Sequence, residues 1–561
     1  MTQDPFTQEI IKDALVALGD EMFNAMIRTS MSPIIYESTD FAVGATDPTG
    51  ALLAQGNGVT GFLATLDTAV QSTLEHWPLE EIAPGDVFMT NCPYEGGGTH
   101  LSDVVIVNPV FWQDRLVAWT VNKAHWTEVG GAYPGSATTE STDIFQEGLH
   151  FRFLKLYDAG RINRSLVDLI RANVRLPDST LGDMHAGVAA CRVGGKRIIE
   201  LIEKYGPDEV KAAMIGLLDY GERMTREELK KLPKGVFESH DVVEEDGHGN
   251  GPFHVQVKIT ITDDKMVADF TGTSAQALGP INISYAGLVT GARCVFKAVT
   301  NTDIPANGGC FRALEVVCPP GTILSAQSPA PVSIYYESLL AAMEVMWRAL
   351  APLMPHKLPV GHMRTVGATF ISGLNPQTGD LYVMGEPLVG GWGASLDQDG
   401  DSGQFCSANG ETFNIPIELA ESRYGFEIDQ YAFHQEDGGA GEFRGGKGVV
   451  LDYRVTADEA QLTYSATRTV SRPWGAANGH EGSCNRAQIL RNDGSVETYS
   501  MVTGAKAVKG EIFRLISGTG GGYGDPKRRD RSKLLRDVRD GFVTHEQARR
   551  DYGVDLVPAG E

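Results

Sequence analysis

Near the N-terminus, Ile10, Ile11, Leu15, Leu18, Met22 and Met26 recur at spacings of three and four. That period places them on one helical face and predicts an amphipathic helix over 8–29 whose Met/Leu stripe is core. Short apolar runs follow at Phe41–Val43 and Ala51–Leu53, separated by Asp47-Pro-Thr-Gly50, which reads as two strands and a turn. A helix is predicted over 62–77. Two further strands are predicted over 104–110 and 116–121, with Gln113-Asp114 at their turn. Residues 166–172, 184–205 and 208–229 read as helices with one polar face. Leu232-Pro-Lys-Gly235 breaks that pattern. From Phe253 to Asp269 apolar and polar residues alternate, as in a strand pair with one solvated face. Beyond residue 351 the chain is rich in glycine and short β runs. From Arg531 it returns to charged helix, read as a surface tail.

These patterns predict a mixed α/β (α+β), multi-subdomain chain that is β-rich in its C-terminal half. Three regions are expected: 1–235 with a helical insert, 236–350 as a central α/β region, and 351–561 as a glycine-rich β region with a helical tail. The length of 561 residues supports several subdomains, because a single core stops growing well before that size. With 42% hydrophobic and 21% charged residues the chain falls in the ordinary globular class and outside the disordered ones. The formal net charge of −24 disfavours nucleic acid and anionic membrane as partners. The seven cysteines are scattered without a CxxC pair, so reduced buried thiols in a cytoplasmic protein are expected. No basic and apolar leader opens the sequence, and no apolar run reaches membrane-spanning length.

Several chemistries are absent by motif. There is no GxxxxGK[ST], GxSxG or HExxH. The run Gly518–Gly524 does not fit GxGxxG and is read as a tight loop. Asp397, Asp399 and Asp401 lack the terminal Glu of a calcium loop and are read as a solvated turn. The concentrated signal lies between Tyr36 and His150. In Asn91-Cys-Pro-Tyr-Glu-Gly-Gly-Gly-Thr-His-Leu-Ser-Asp103, His100 and Asp103 stand three apart on a glycine loop between two apolar strands. Glycines let such a loop turn sharply enough for both side chains to converge on one ion. His125 sits at the end of the next strand, and Asp40 at the start of an earlier one. Two imidazoles and two carboxylates suit Mn²⁺, Zn²⁺ or Fe²⁺ and not the all-oxygen preference of Ca²⁺. The residue types also accommodate a bland alternative, with His100 capping a turn and His125 as a satisfied core histidine.

The string Asn91–Asp103, together with Ala124-His-Trp-Thr-Glu-Val-Gly-Gly131 and Pro134-Gly-Ser136, resembles the hydantoinase B family. That family includes the B components of ATP-dependent N-methylhydantoinases, caprolactamase and 5-oxoprolinase modules, and α subunits of acetone and acetophenone carboxylases. Ile144–Gly148, Asp303–Arg312, Pro416–Glu418, Asp437–Gly448 and Gly520–Pro526 extend the resemblance in order along nearly the whole chain. The resemblance implies the hydantoinase B fold and a metal site of Asp40, His100, Asp103 and His125. Where the family often reads HLPD, Ser102 replaces the proline. Where it often reads HHxDVGG, Trp126 and Glu128 replace the second His and the Asp. Trp126 cannot be a ligand and is expected to line or narrow the pocket. Glu128 keeps a carboxylate one methylene longer and is expected to support a ligand or act as general base. Glu37 and His150 are the further candidates for supporting the ligands.

The implied division of labour is that a hydantoinase A-type partner binds ATP and phosphorylates a cyclic amide. This chain, the B-type component of a cyclic amidohydrolase, then hydrolyses the activated substrate with a divalent transition metal. An (αβ)₂ or larger assembly is expected. Two alternatives are the α subunit of an ATP-dependent ketone carboxylase and a non-catalytic scaffold for the A-type chain.

Overall fold

The computed structural model describes residues 5–63 and 65–555. Its backbone divides into two compact units, each assembled from separate stretches. The first comprises Met1–His240, His254–Met343 and Ala408–Ile415; the second comprises Asp241–Phe253, Glu344–Ser407 and Pro416–Glu561. Three consecutive regions were expected, and two discontinuous units are found. The stretch 236–350 is divided between them, with 241–253 and 344–350 in the second unit and the rest in the first.

The first unit is built on a seven-stranded antiparallel sheet. Its strands are β1 (Phe41–Thr46), β2 (Leu52–Gly58), β3 (Val87–Thr90), β4 (Asp103–Trp112), β5 (Arg115–His125), β6 (Leu154–Asp158) and β7 (Arg161–Ile162). They lie in the order β2-β1-β5-β4-β3-β6-β7. The Asp47 carboxylate accepts the Thr49 and Ala51 amides and closes the β1–β2 turn. Helix Pro5–Thr29 covers this sheet with Ile11, Leu15, Leu18, Met22 and Met26 buried, while Ile10 faces solvent. The helix expected over 62–77 is two, Thr60–Leu63 and Leu66–His76. Helices Pro177–Tyr205 and Pro207–Lys231 open on Pro, and Gly206 between them has φ 88°. Strand Gly235–Val243 begins where the sequence breaks its helical pattern. In Phe253–Ile261 the residues Val255, Val257, Ile259 and Ile261 are buried, as the alternation requires.

The second unit holds two antiparallel sheets of four and five strands, all from residues 368–516. The glycine loop at 518–524 is a close-packing device. A Cβ on Gly520 would stand 1.9 Å from the Trp392 carbonyl, so backbone meets backbone where a side chain would separate them. Asp399 is not a solvated turn residue, because it binds the Arg529 guanidinium at 2.7 and 2.9 Å. Nor are residues 531–555 a loose tail. Leu534, Val543, Ala548 and Tyr552 form a buried cluster with Ala440, and Asp537 pairs with Arg444 at 3.1 Å and Arg529 at 2.6 Å. No helix among the described residues is long and apolar enough to cross a membrane.

Candidate metal centre

Three neighbouring strands bring polar residues to one edge of the first sheet. Asp103 opens β4, His125 closes β5, and the two are register partners. On the other flank Phe41 pairs with Ala124, which sets Asp40 beside His125, and the His125 amide donates to the Asp40 carbonyl at 3.0 Å. Residues opposite one another on adjacent strands project from the same face. Asp40, His125 and Asp103 therefore form a row across β1, β5 and β4. The two-residue period of β5 adds Lys123 to the same face.

His100 reaches this row from the glycine loop ahead of β4. The Asp103 amide donates to the His100 carbonyl at 3.1 Å and closes a tight turn. Asn91 spans the loop: its amide donates to the carbonyls of Leu101 and Leu149 and its oxygen accepts the Phe151 amide. A Cβ on Gly98 would lie 2.2 Å from the Asn91 carbonyl, so only glycine lets the loop close this far.

The result is a compact triangle. His100 Nε2 lies 2.9 Å from Asp103 Oδ1 and 3.0 Å from His125 Nδ1, and His125 Nδ1 lies 3.1 Å from the same Asp103 oxygen. All three residues are buried. The His100 Nδ1 donates to the Ser333 carbonyl at 2.8 Å. A carbonyl only accepts, so Nδ1 carries the proton and, in the neutral ring, Nε2 presents its lone pair. The three ligand-type atoms thus converge on one point. Adjacent donors of an octahedrally held ion with bond lengths of ~2.1 Å stand about 3.0 Å apart, so this set fits a divalent transition ion in the manner of a two-His, one-carboxylate triad. Asp40 flanks the triangle and lies outside its tightest grouping.

The electrostatics follow from burial and from this crowding. Burial pushes the Asp40 carboxyl up to about 6 against the opposing pull of His125. Burial would likewise raise Asp103, but the two imidazoles hold it far below the usual carboxylate range. For His100 burial disfavours the charged ring, and Asp103 outweighs this and raises its pKa. Lys123, fully enclosed, is pushed down by burial to about 8 while Asp103 and Asp40 oppose the fall. Its ammonium donates to Thr65 Oγ1 at 3.2 Å and sits over the Phe62 ring.

The remaining sequence candidates do not join the triangle. Glu128 is buried, and its Oε1 accepts from the Arg175 amide at 3.0 Å and guanidinium at 2.9 Å. Through Oε1 it ties the loop after β5 to residue 175, while its Oε2 is buried without a hydrogen-bond partner. Trp126 is core, tilted against Phe151 at 6.3 Å between ring centroids, with its amide donating to the Ser102 carbonyl. Glu37 is half-buried and caps the short helix Pro33–Tyr36 through its amide. His150 is half-buried, and burial lowers its pKa.

Four neighbours complete the surroundings of the triangle. Tyr335 meets the His100 ring edge-on at 5.0 Å and interacts with Thr99 and Asp103 through its hydroxyl. Thr99 also donates to the second Asp103 oxygen. The Ser333 carbonyl accepts the His100 Nδ1–H hydrogen bond, and Lys123 completes the charged row. Lys123 is the one with a local signal, since it lies two residues before His125 on one strand. No such signal ties residues 333 and 335 to a loop more than 200 positions earlier.

The family model for hydantoinase B/oxoprolinase matches residues 4–526. A Pseudomonas protein provisionally named as the B-type chain of a D-/L-hydantoinase is 32% identical, over 100% of this chain and 96% of the relative. The crystal structure of ATP-dependent caprolactamase from Pseudomonas jessenii superposes with a TM-score of 0.93 at 29% identity, covering 100% of this chain and 98% of the other. Nucleotide-free acetone carboxylase shares the fold, with a TM-score of 0.91 at 19% identity over 100% of this chain and 80% of the other. The match to the family model over almost the whole length makes this chain a member of the hydantoinase B/oxoprolinase family.

Proposed function

We propose that this chain is the hydrolytic B-type component of an ATP-dependent cyclic amidohydrolase. The observation that carries the reading is the buried triangle of His100, Asp103 and His125, flanked by Asp40, whose donor atoms lie 2.9–3.1 Å apart. These four residues would hold the ion. A bound Mn²⁺, Zn²⁺ or Fe²⁺ supplies Lewis acidity and a hydroxide nucleophile at neutral pH.

The chain's own groups prepare that chemistry. The Ser333 carbonyl fixes the His100 tautomer so that Nε2 faces inward. Thr99 and Tyr335 hold the Asp103 carboxylate. Asp40, pushed up to about 6, gives up its proton near neutrality and can then share the ion's charge. Lys123 offsets part of the negative charge that Asp40 and Asp103 bring into the site.

An amide carbonyl is a poor electrophile, and phosphorylation of its oxygen supplies a leaving group. The motifs of this chain include no phosphate cradle, so that step is assigned to an ATP-binding A-type partner, consistent with the name of the Pseudomonas relative as one chain of a larger enzyme. The decisive experiment is reconstitution with an A-type chain, scoring ATP-dependent ring opening of cyclic amides. Wild type should be active with near one transition ion per chain, and His100→Ala should lose both. Full activity of His100→Ala would move the chain to the scaffold reading. The fold shared with acetone carboxylase motivates a parallel assay with a ketone; bicarbonate-dependent product there, without amide hydrolysis, would favour carboxylation.

A further inference from the structure

Glu147 is an acid in an unusual setting. It is buried, and burial pushes its carboxyl up to about 7. Its Oε1 accepts from the Ser141 hydroxyl at 2.7 Å, the Val332 amide at 2.8 Å and the Ser333 amide at 2.9 Å. Its Oε2 is enclosed without a hydrogen-bond partner. Three donors on one oxygen make a clamp, and two of them belong to consecutive backbone amides of an irregular segment.

That segment, 329–335, has no ladder to hold it. It is fixed piecewise: the Ile144 amide donates to the Pro329 carbonyl at 3.0 Å, the Tyr94 hydroxyl to Ala330, and the Asn282 amide to Pro331 at 3.0 Å. The Thr138 amide donates to Ser333 Oγ at 3.0 Å. At residues 332 and 333 themselves the amides go to Glu147. The carbonyl of Ser333, on the other side of the same residue, receives the His100 Nδ1 proton.

We infer that Glu147 is the positioning residue for His100: by clamping the Val332 and Ser333 amides it aims the Ser333 carbonyl at Nδ1 and so turns the Nε2 lone pair toward Asp103 and His125. The inference rests on the metal reading of the triangle and deepens it. The Ile334 amide, which shares a peptide plane with the Ser333 carbonyl, donates to the Pro280 carbonyl at 3.0 Å; without the clamp that plane is held from one side only, and His100 gains freedom to rotate or to exchange tautomers. Groups that orient a histidine ligand through its distal nitrogen typically change metal affinity 10–100-fold when removed. The role is one of acceptor geometry and not of charge, because a neutral amide oxygen at the same place accepts the same two amides.

The test is Co²⁺ binding, followed by the visible absorption of the bound ion, on the full chain and three variants. Glu147→Met removes the acceptor at similar volume and should weaken Co²⁺ binding 10–100-fold with an altered spectrum. Glu147→Asp keeps the carboxylate but withdraws it by one methylene, and should weaken binding about tenfold even if the Met variant does not fold. Glu147→Gln keeps the acceptor and drops the charge, and should bind within about threefold of wild type with its spectrum. Wild-type affinity in Glu147→Asp or Glu147→Met overturns the inference. A Gln variant as weak as Met overturns it too, since charge would then be the cause. If wild type binds no Co²⁺, or His100→Ala binds as tightly as wild type, the metal reading itself fails and the inference falls with it.

Discussion

In the first unit, Asp40 and Asp103 share a buried space with two imidazoles and the Lys123 ammonium. In the second, Asp241 and Glu344 are enclosed with two guanidiniums and one imidazole. There Arg468 reaches both carboxylates, Arg364 Nη1 lies 3.1 Å from Asp241, and His362 Nδ1 lies 3.3 Å from Glu344. Trp474 also donates to Glu344. Both clusters remove carboxylates from water, which is costly unless the charge is met. The second meets it with side chains of its own, and its arginines are built in at a cost: Arg364 and Arg468 have φ of 46° and 57°. The first brings two imidazole nitrogens and a carboxylate oxygen to one point. A buried cluster rich in donors of positive charge is a structural rivet, whereas one short of them is a place for a cation.

The contrast is broken or sharpened by four measurements. The largest effect belongs to the rivet. Arg468→Met leaves Asp241 and Glu344 without their shared partner and should cost about 3–5 kcal/mol of unfolding free energy, read by denaturant melts, with metal content as in wild type. Next is removal of the ion. Stripping the wild-type chain with a chelator should lower stability by about 3 kcal/mol if the ion is held at one hundred times its Kd. His100→Ala should show no such chelator effect, and an equal response in both would dissolve the distinction between the clusters.

Acid should strike the rivet first. Burial favours the neutral form of Glu344, but His362 and Arg468 hold its carboxyl down at about 2, below the ordinary 4.5. A depressed folded pKa contributes stability above 4.5 that fades as pH falls toward 2. By pH 3.5 about 1.4 kcal/mol should be gone, and Glu344→Gln should flatten that part of the stability–pH curve. The smallest effect is expected at Glu128→Gln. The amide oxygen can still accept from Arg175, so stability should fall by about 1 kcal/mol or less and metal content should not change. Loss of metal in this variant would return Glu128 to the centre.

Much of the centre is legible along the chain. Three of its groups occupy the glycine loop and the two strands that follow, and strand periodicity alone aligns Lys123 with His125. Two departures are instructive. Trp126 stands where the family often reads a second His, and it is buried against Phe151. The high charge of the terminal helices suggests a tail, yet Asp537 is answered by Arg444 and Arg529. Charge predicts exposure only where no counter-charge arrives from elsewhere in the chain.

By itself the sequence determined the antiparallel strands, the tight loop that carries His100, the carboxylate and imidazole set, and the family. Those depend on local spacing, on turn residues and on which atoms can bind a cation. Tertiary structure alone decided that Asp40 lies beside His125, that Glu128 belongs to Arg175, and that Ser333, Tyr335 and Glu147 surround His100. Those depend on strand order and on segments far apart in the chain. Hydrogen bonds and ion pairs act over a few ångströms of space, and sequence distance carries no record of that.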